Sequence, residues 1–96
     1  MALILSPLAV EDIKEIGDYI AQDNPVRAVS FMDELYAQCQ QIGEIPTMYP
    51  LRTALGKNIR CCPYGRYIIL FSIDQCDIRI QRVLHSARDV ENMRLL

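Results

Sequence analysis

The chain has no tryptophan, a single histidine (His85), four glycines and only two lysines, Lys14 and Lys57, among 96 residues. The glycines form no phosphate-cradling loop, which removes the common nucleotide-binding motifs. With one histidine there is no serine–histidine–acid set at a workable spacing. The four cysteines are Cys39, Cys61, Cys62 and Cys76. None forms a Cys-x-x-Cys pair, and His, Asp, Glu and Cys do not cluster. A zinc or thioredoxin-like site is therefore not expected, and neither a metal nor a cofactor is implied. Cys61 and Cys62 are neighbours in a strand-like run, so they should point to opposite faces. Small apolar filler in a reduced, cytoplasmic protein is the role their spacing suggests. No apolar run approaches the ~20 residues that cross a bilayer, so no membrane partner is expected. The N-terminal stretch has no basic segment and only a very short apolar one, which does not read as a secretory leader.

What is present is enough for one small α+β domain spanning residues 1–96. Half of the residues (51%) are apolar, and a chain of this size buries roughly two-thirds of its unfolded surface. The net charge of −2 hides a division. Residues 1–50 hold two basic and eight acidic residues, leaving −6. Residues 51–96 hold eight basic and four acidic residues, leaving +4. Acidic helices and a basic sheet would make a dipolar molecule.

Along the chain, residues 2–6 read as a short apolar strand. Ser6 and Pro7 then read as N-cap and first residue of a helix. Ala9, Ile13, Ile16 and Ile20 give that helix one apolar face. Gly17 beside it would permit a close helix contact. Asn24 and Pro25 repeat the start signal. Val29, Met32, Leu35, Tyr36, Cys39 and Ile42 mark a second helix of about eighteen residues, ended by Gly43 and Pro46. Two helices joined by so short a turn form an antiparallel hairpin. Residues 45–57 read as a loop, pinned to the core by Met48, Tyr49 and Leu51. A three-stranded antiparallel meander follows: Ile59–Cys62, a turn at Pro63-Tyr64-Gly65, Arg66–Ile73, and Asp77–Leu84. The middle run is apolar on both parities, which marks a central strand covered on both faces. In the last strand the parity of Ile78 and Ile80 next delivers Arg82. Either a bulge shifts the phase there, or Arg82 shares a face with the aliphatic residues. Ser86 would cap a short closing helix over residues 87–95.

Arg52, Lys57, Arg60, Arg66, Arg82, His85 and Arg88 make a candidate basic surface for nucleic acid or an acidic peptide. The same groups suit polarisation of a phosphodiester, with His85 as acid or base. The plainer role for His85 is to close the last strand, bonded to a backbone carbonyl or to Asp89.

In this order the chain resembles the RelE/ParE toxin superfamily of bacterial toxin–antitoxin systems. The resemblance rests on Ala9-x-x-Asp12-Ile13-x-x-Ile16-x-x-Tyr19-Ile20, Asn24-Pro25-x-x-Ala28, Ile45-Pro46 and Gly56-x-x-Ile59-Arg60. It continues with Tyr64-Gly65-Arg66-Tyr67-Ile68-Ile69 and Arg82-Val83-Leu84-His85-x-x-Arg88-Asp89. The final motif is most similar to the ParE branch. The resemblance implies a toxin that inhibits DNA gyrase, without catalysis of its own. It also implies a ribbon-helix-helix, ParD-like antitoxin whose arm wraps the toxin in a hetero-oligomer. Target contact would fall on Arg82, His85 and Arg88, and antitoxin contact on Arg60, Arg66 and Arg82. RelE-like relatives instead cut messenger RNA in the ribosomal A site, and that alternative would use Lys57, Arg60, Arg82 and His85. Those ribonucleases usually carry many lysines and often a C-terminal tyrosine. This chain has two lysines and no tyrosine beyond Tyr67. A degenerate toxin kept as an antitoxin-binding partner is the third reading.

Overall fold

The computed structural model describes residues 2–86. The expected closing helix and Arg88 lie outside the described residues. The elements are β1 (Leu3–Leu5), α1 (Pro7–Ala21), α2 (Pro25–Glu44), β2 (Arg60–Tyr64), β3 (Tyr67–Asp74) and β4 (Asp77–His85). Single 3-10 turns at Pro46–Met48 and Thr53–Leu55 punctuate the long connection before β2. The sheet order is β1-β4-β3-β2. The last three strands form the expected antiparallel meander. The amino-terminal strand lies parallel to β4 at one edge, with Leu3 opposite Ile78 and Leu5 opposite Ile80.

Both helices begin as their sequence signals say. The Ser6 hydroxyl accepts from the Ala9 N–H at 3.0 Å, and the Asn24 side chain accepts from the Arg27 N–H at 3.0 Å. Each follows with proline at the first helical position, where no N–H is needed. The hairpin closes tightly at Gly17. A Cβ there would stand 2.4 Å from Met32 Sδ. The buried stripe of α2 is Ala28, Phe31, Leu35, Cys39 and Ile42. Val29 and Tyr36, expected on that face, are exposed beside it. α2 also runs through Gly43 to Glu44. It stops because Ile45 precedes Pro46, whose ring disfavours the helical conformation for the residue before it, and Ile45 is accordingly out of the helical region at φ -138° and ψ 68°.

The two faces of the sheet carry separate cores. Cys62, Ile69, Phe71, Ile78, Ile80 and Val83 meet the helices. Cys61, Ile68, Leu70 and Leu84 cluster on the other face with Leu55 and Ile59 of the long connection. Cys61 and Cys62 thus point to opposite faces, as neighbours in a strand must. Within the connection, Pro46, Tyr49 and Leu55 hold the chain down, while Met48 and Leu51 are exposed. Tyr49 meets Phe71 edge-on, with ring centroids 5.8 Å apart. Pro63 and Tyr64 belong to β2 rather than to the turn. An edge strand tolerates proline, and the turn is made by Gly65, at φ 58°, with Arg66.

The phase break in β4 is a bulge. Leu70 pairs with Arg82 and Phe71 with Ile80, so Gln81 is the extra residue. Before it Ile78 and Ile80 face the helices; after it Val83 does.

Candidate functional site

The bulge is secured from the start of α1. The Ser6 N–H donates to the Ile80 carbonyl at 2.9 Å, and its hydroxyl donates to the Gln81 carbonyl at 2.8 Å. That same hydroxyl caps α1, so one residue fixes the strand end through its backbone and the bulge and helix start through its side chain. Because β1 stops opposite Ile80, β4 runs on without a parallel neighbour. Asp12 fills this gap. Its carboxylate accepts from Arg82 Nε at 2.7 Å, from Arg82 Nη2 at 3.0 Å and from the Val83 N–H at 3.0 Å. The side chains of Asp12 and Arg82 are 9% and 28% exposed. A two-pronged, partly desolvated pair of this kind holds direction as well as charge.

The other basic candidates are dispersed. Arg60 pairs in register with Phe71 and donates to the Tyr49 carbonyl at 2.6 Å. It ties the long connection to β2. His85 lies opposite Tyr67 and meets its ring edge-on, centroids 5.5 Å apart. Tyr67 in turn packs against Phe31 of α2. Arg66 is exposed in the turn before β3, and its carbonyl accepts from both the N–H and the hydroxyl of Ser86. Arg66 and His85 therefore share one end of the sheet. Lys57 and Arg52 are exposed in the connection.

Register separates three of the four residues that the ribonuclease alternative needs. Arg60 shares the helix-facing side with Phe71, whereas Arg82 shares the opposite side with Leu70. His85 aligns with Tyr67, four positions along β3 from Phe71. At about 3.3 Å per residue and about 4.8 Å per strand, Arg60 and His85 start well over 10 Å apart at the backbone.

The buried thiols are poor nucleophiles. Burial, reinforced by Cys62 nearby, pushes the Cys39 thiol up to about 12. Burial also raises Cys61 and Cys62. Among the described residues, no three His, Cys, Asp or Glu side chains are grouped to hold a metal ion.

Sequence reasoning did not anticipate Asp12 as the partner of Arg82. The available signal was an acid beside Ala9, Ile13 and Ile16 on the apolar face of α1. Nor did it find the cavity of about 390 Å³ beside the bulge, where Leu8 of α1 and Leu55 and Ile59 of the connection approach Leu70 and Arg82.

Among solved structures, the chain resembles the chromosomal ParDE toxin–antitoxin system from P. aeruginosa. The TM-score is 0.78 at 17% identity, covering 88% of this chain and 95% of that one. At that identity the likeness speaks for the fold. No curated protein matches the sequence. The model of the ParE toxin of type II toxin–antitoxin systems, parDE, matches residues 3–90, nearly the whole length, and the chain accordingly belongs to the ParE toxin family.

Proposed function

We propose that this toxin inhibits DNA gyrase by binding rather than by catalysis, acting in the cytoplasm, and that a ribbon-helix-helix antitoxin neutralises it. Membership of the ParE family supports the toxin role and the antitoxin partner. The observation that carries the non-catalytic reading is the dispersal of Arg60, Arg82 and His85. Arg60 holds a backbone carbonyl, Arg82 holds Asp12, and the two start from opposite faces of the sheet. General acid–base chemistry needs its groups within hydrogen-bond reach of one reacting atom. A chain with two lysines and a net charge of −2 also gains little from phosphate neutralisation.

Target contact is assigned to the end of the sheet carrying His85 and leading to Arg88. Arg82 supports that end by fixing the path of β4. The test pairs a gyrase supercoiling assay with a translating extract. Purified toxin is expected to block supercoiling and to leave messenger RNA intact. His85→Ala, with its helical signal retained, is expected to raise the half-inhibitory concentration at least tenfold. Messenger RNA cleavage with supercoiling untouched would overturn the proposal in favour of the ribonuclease. Inactivity in both assays with tight antitoxin binding would mark a degenerate toxin.

A further inference from the structure

We infer that the outer side of the helical hairpin docks a basic amphipathic helix of the gyrase target. This rests on the gyrase reading above and adds a second contact surface and its chemistry. The register of the hairpin is fixed where Gly17 of α1 meets Met32 of α2. Three, four and seven residues from Gly17 come Lys14, Ala21 and Val10, on the same flank of α1. The same spacings from Met32 give Val29 and Tyr36 on α2. All five therefore border the seam between the helices. Val10, Val29 and Tyr36 are exposed, Val29 by 58%, so this side of the seam is turned away from the sheet. Because the helices run antiparallel, Ala21 falls beside Val29 and Lys14 beside Tyr36. The apolar floor from Val29 to Tyr36 runs about 10 Å, the length of two turns of a docked helix.

Charge decides what kind of helix covers it. On the hairpin, Glu11, Glu15, Asp18, Asp23, Asp33 and Glu44 are exposed and make no ion pair among the described residues. Asp12 is held by Arg82, and Glu34 by Arg27. The one remaining base is Lys14, exposed and likewise without an ion pair among the described residues. Glu11 and Asp18 flank Lys14 at three and four residues, and Asp33 stands between Val29 and Tyr36 at the same spacings. The rims of the seam are therefore acidic. A second copy of this face would bring carboxylates against carboxylates, and nucleic acid would bring phosphates. Aliphatic anchors flanked by lysine or arginine are the complement. An enzyme that handles DNA must carry basic surface along its path, and a helix lining that surface has this chemistry. α2 also joins the seam to the His85 end of the sheet. Phe31, two residues after Val29, packs on Tyr67, which meets His85. The apolar floor supplies affinity, and the rims speed encounter and set register.

The test titrates immobilised gyrase with the parent toxin and four variants, and follows supercoiling in parallel. Val29→Lys and Val29→Glu both spoil the apolar floor at an exposed position, with opposite charge. Asp33→Lys leaves the floor intact and reverses one rim charge. Met48→Lys places the same charge on an exposed residue of the long connection, away from the seam. Val29→Lys is expected to weaken binding and inhibition at least tenfold, and Val29→Glu distinctly less. Asp33→Lys should weaken both at least fivefold, and its gap from the parent should narrow as salt is raised. Met48→Lys should match the parent, all five proteins should give the same circular dichroism, and all should bind antitoxin equally. Parent-like inhibition by Val29→Lys and Asp33→Lys would overturn the assignment, as would an equal loss in Met48→Lys. A larger loss in Val29→Glu than in Val29→Lys would overturn the sign of the partner. Loss of antitoxin binding with inhibition intact would give the face to the antitoxin instead. A parent dimer in sedimentation that Val29→Lys dissolves, with inhibition intact, would give it to a second copy. Failure of the parent itself to inhibit gyrase would overturn the reading on which the inference rests.

Discussion

Asp12 and Arg82 stand 70 positions apart in sequence, and their pairing explains two local oddities at once. An acid on the apolar face of α1 and an arginine at the phase break of β4 each look like errors in isolation. Together they close the exposed side of β4 and pin α1 across it. Each anomaly was legible in the sequence, but the contact between them was not, because period and spacing report only local geometry. Removing either partner strands the other in a partly desolvated setting. Asp12→Ala and Arg82→Ala are each expected to cost about 3 kcal/mol, and the double variant little more than either single one. Urea unfolding of the four proteins measures this. Additive losses would show that the two side chains act independently. Any toxicity lost in Arg82→Ala must therefore be read against its stability.

At the scale of elements, the helix starts and the meander were readable because serine, asparagine, proline and turn chemistry act locally. Other features were set by long-range packing. The position of β1 depends on Ser6 reaching the Ile80 and Gln81 carbonyls. The face of α2 was misjudged at Val29 and Tyr36 because a helix flank beside a neighbouring helix is apolar without being buried. The connection was misjudged at Met48 and Leu51 because it has no period to read. Gly17 is the element-scale feature whose role was visible beforehand, and it can be tested. Alanine would favour an isolated helix by about 1 kcal/mol. Here its Cβ would press on Met32 Sδ at 2.4 Å and Met32 Cγ at 3.1 Å, not merely on the tip of that side chain. Overpacking of this kind costs about 1–3 kcal/mol. Gly17→Ala is expected to destabilise the parent by about 1 kcal/mol, yet to stabilise a Met32→Ala background by a similar amount. Thermal or urea unfolding of this cycle decides it, and the same sign in both backgrounds would refute the close-contact account.

The whole molecule is an acidic helical layer on a sheet whose half of the chain is basic, and several contacts cross between the layers. One is a cluster in which Arg27 holds Glu34, the Tyr64 hydroxyl donates to Glu34 at 2.8 Å, and Arg27 lies over the Phe31 ring. Arg27 first, and then Tyr64, hold the Glu34 carboxyl below its ordinary value of 4.5. A depressed carboxyl contributes stability above its ordinary value and loses it as pH falls through the folded value. The alkaline side has the opposite sign. Burial pushes Cys39 from 9.0 up to about 12. Its contribution is complete below 9.0 and is lost between there and about 12. The hydrogen bond to Glu34, followed by burial, raises Tyr64 above 10.0, which adds to the same limb. The urea midpoint is therefore expected to be level from about pH 5 to about pH 8.5 and to fall on both sides. Glu34→Gln should make the acid limb shallower and also ease the part of the alkaline limb above 10.0 that Tyr64 supplies, since Glu34 is the first cause of that shift. Cys39→Ala should lower the midpoint everywhere, because it opens a cavity. It should also make the fall above 9.0 shallower, because one of the three buried thiols raised by burial is gone while Cys61 and Cys62 remain. An acid limb equally steep in Glu34→Gln would assign it to other carboxylates, and an alkaline limb equally steep in Cys39→Ala would leave the buried thiol without a part in it.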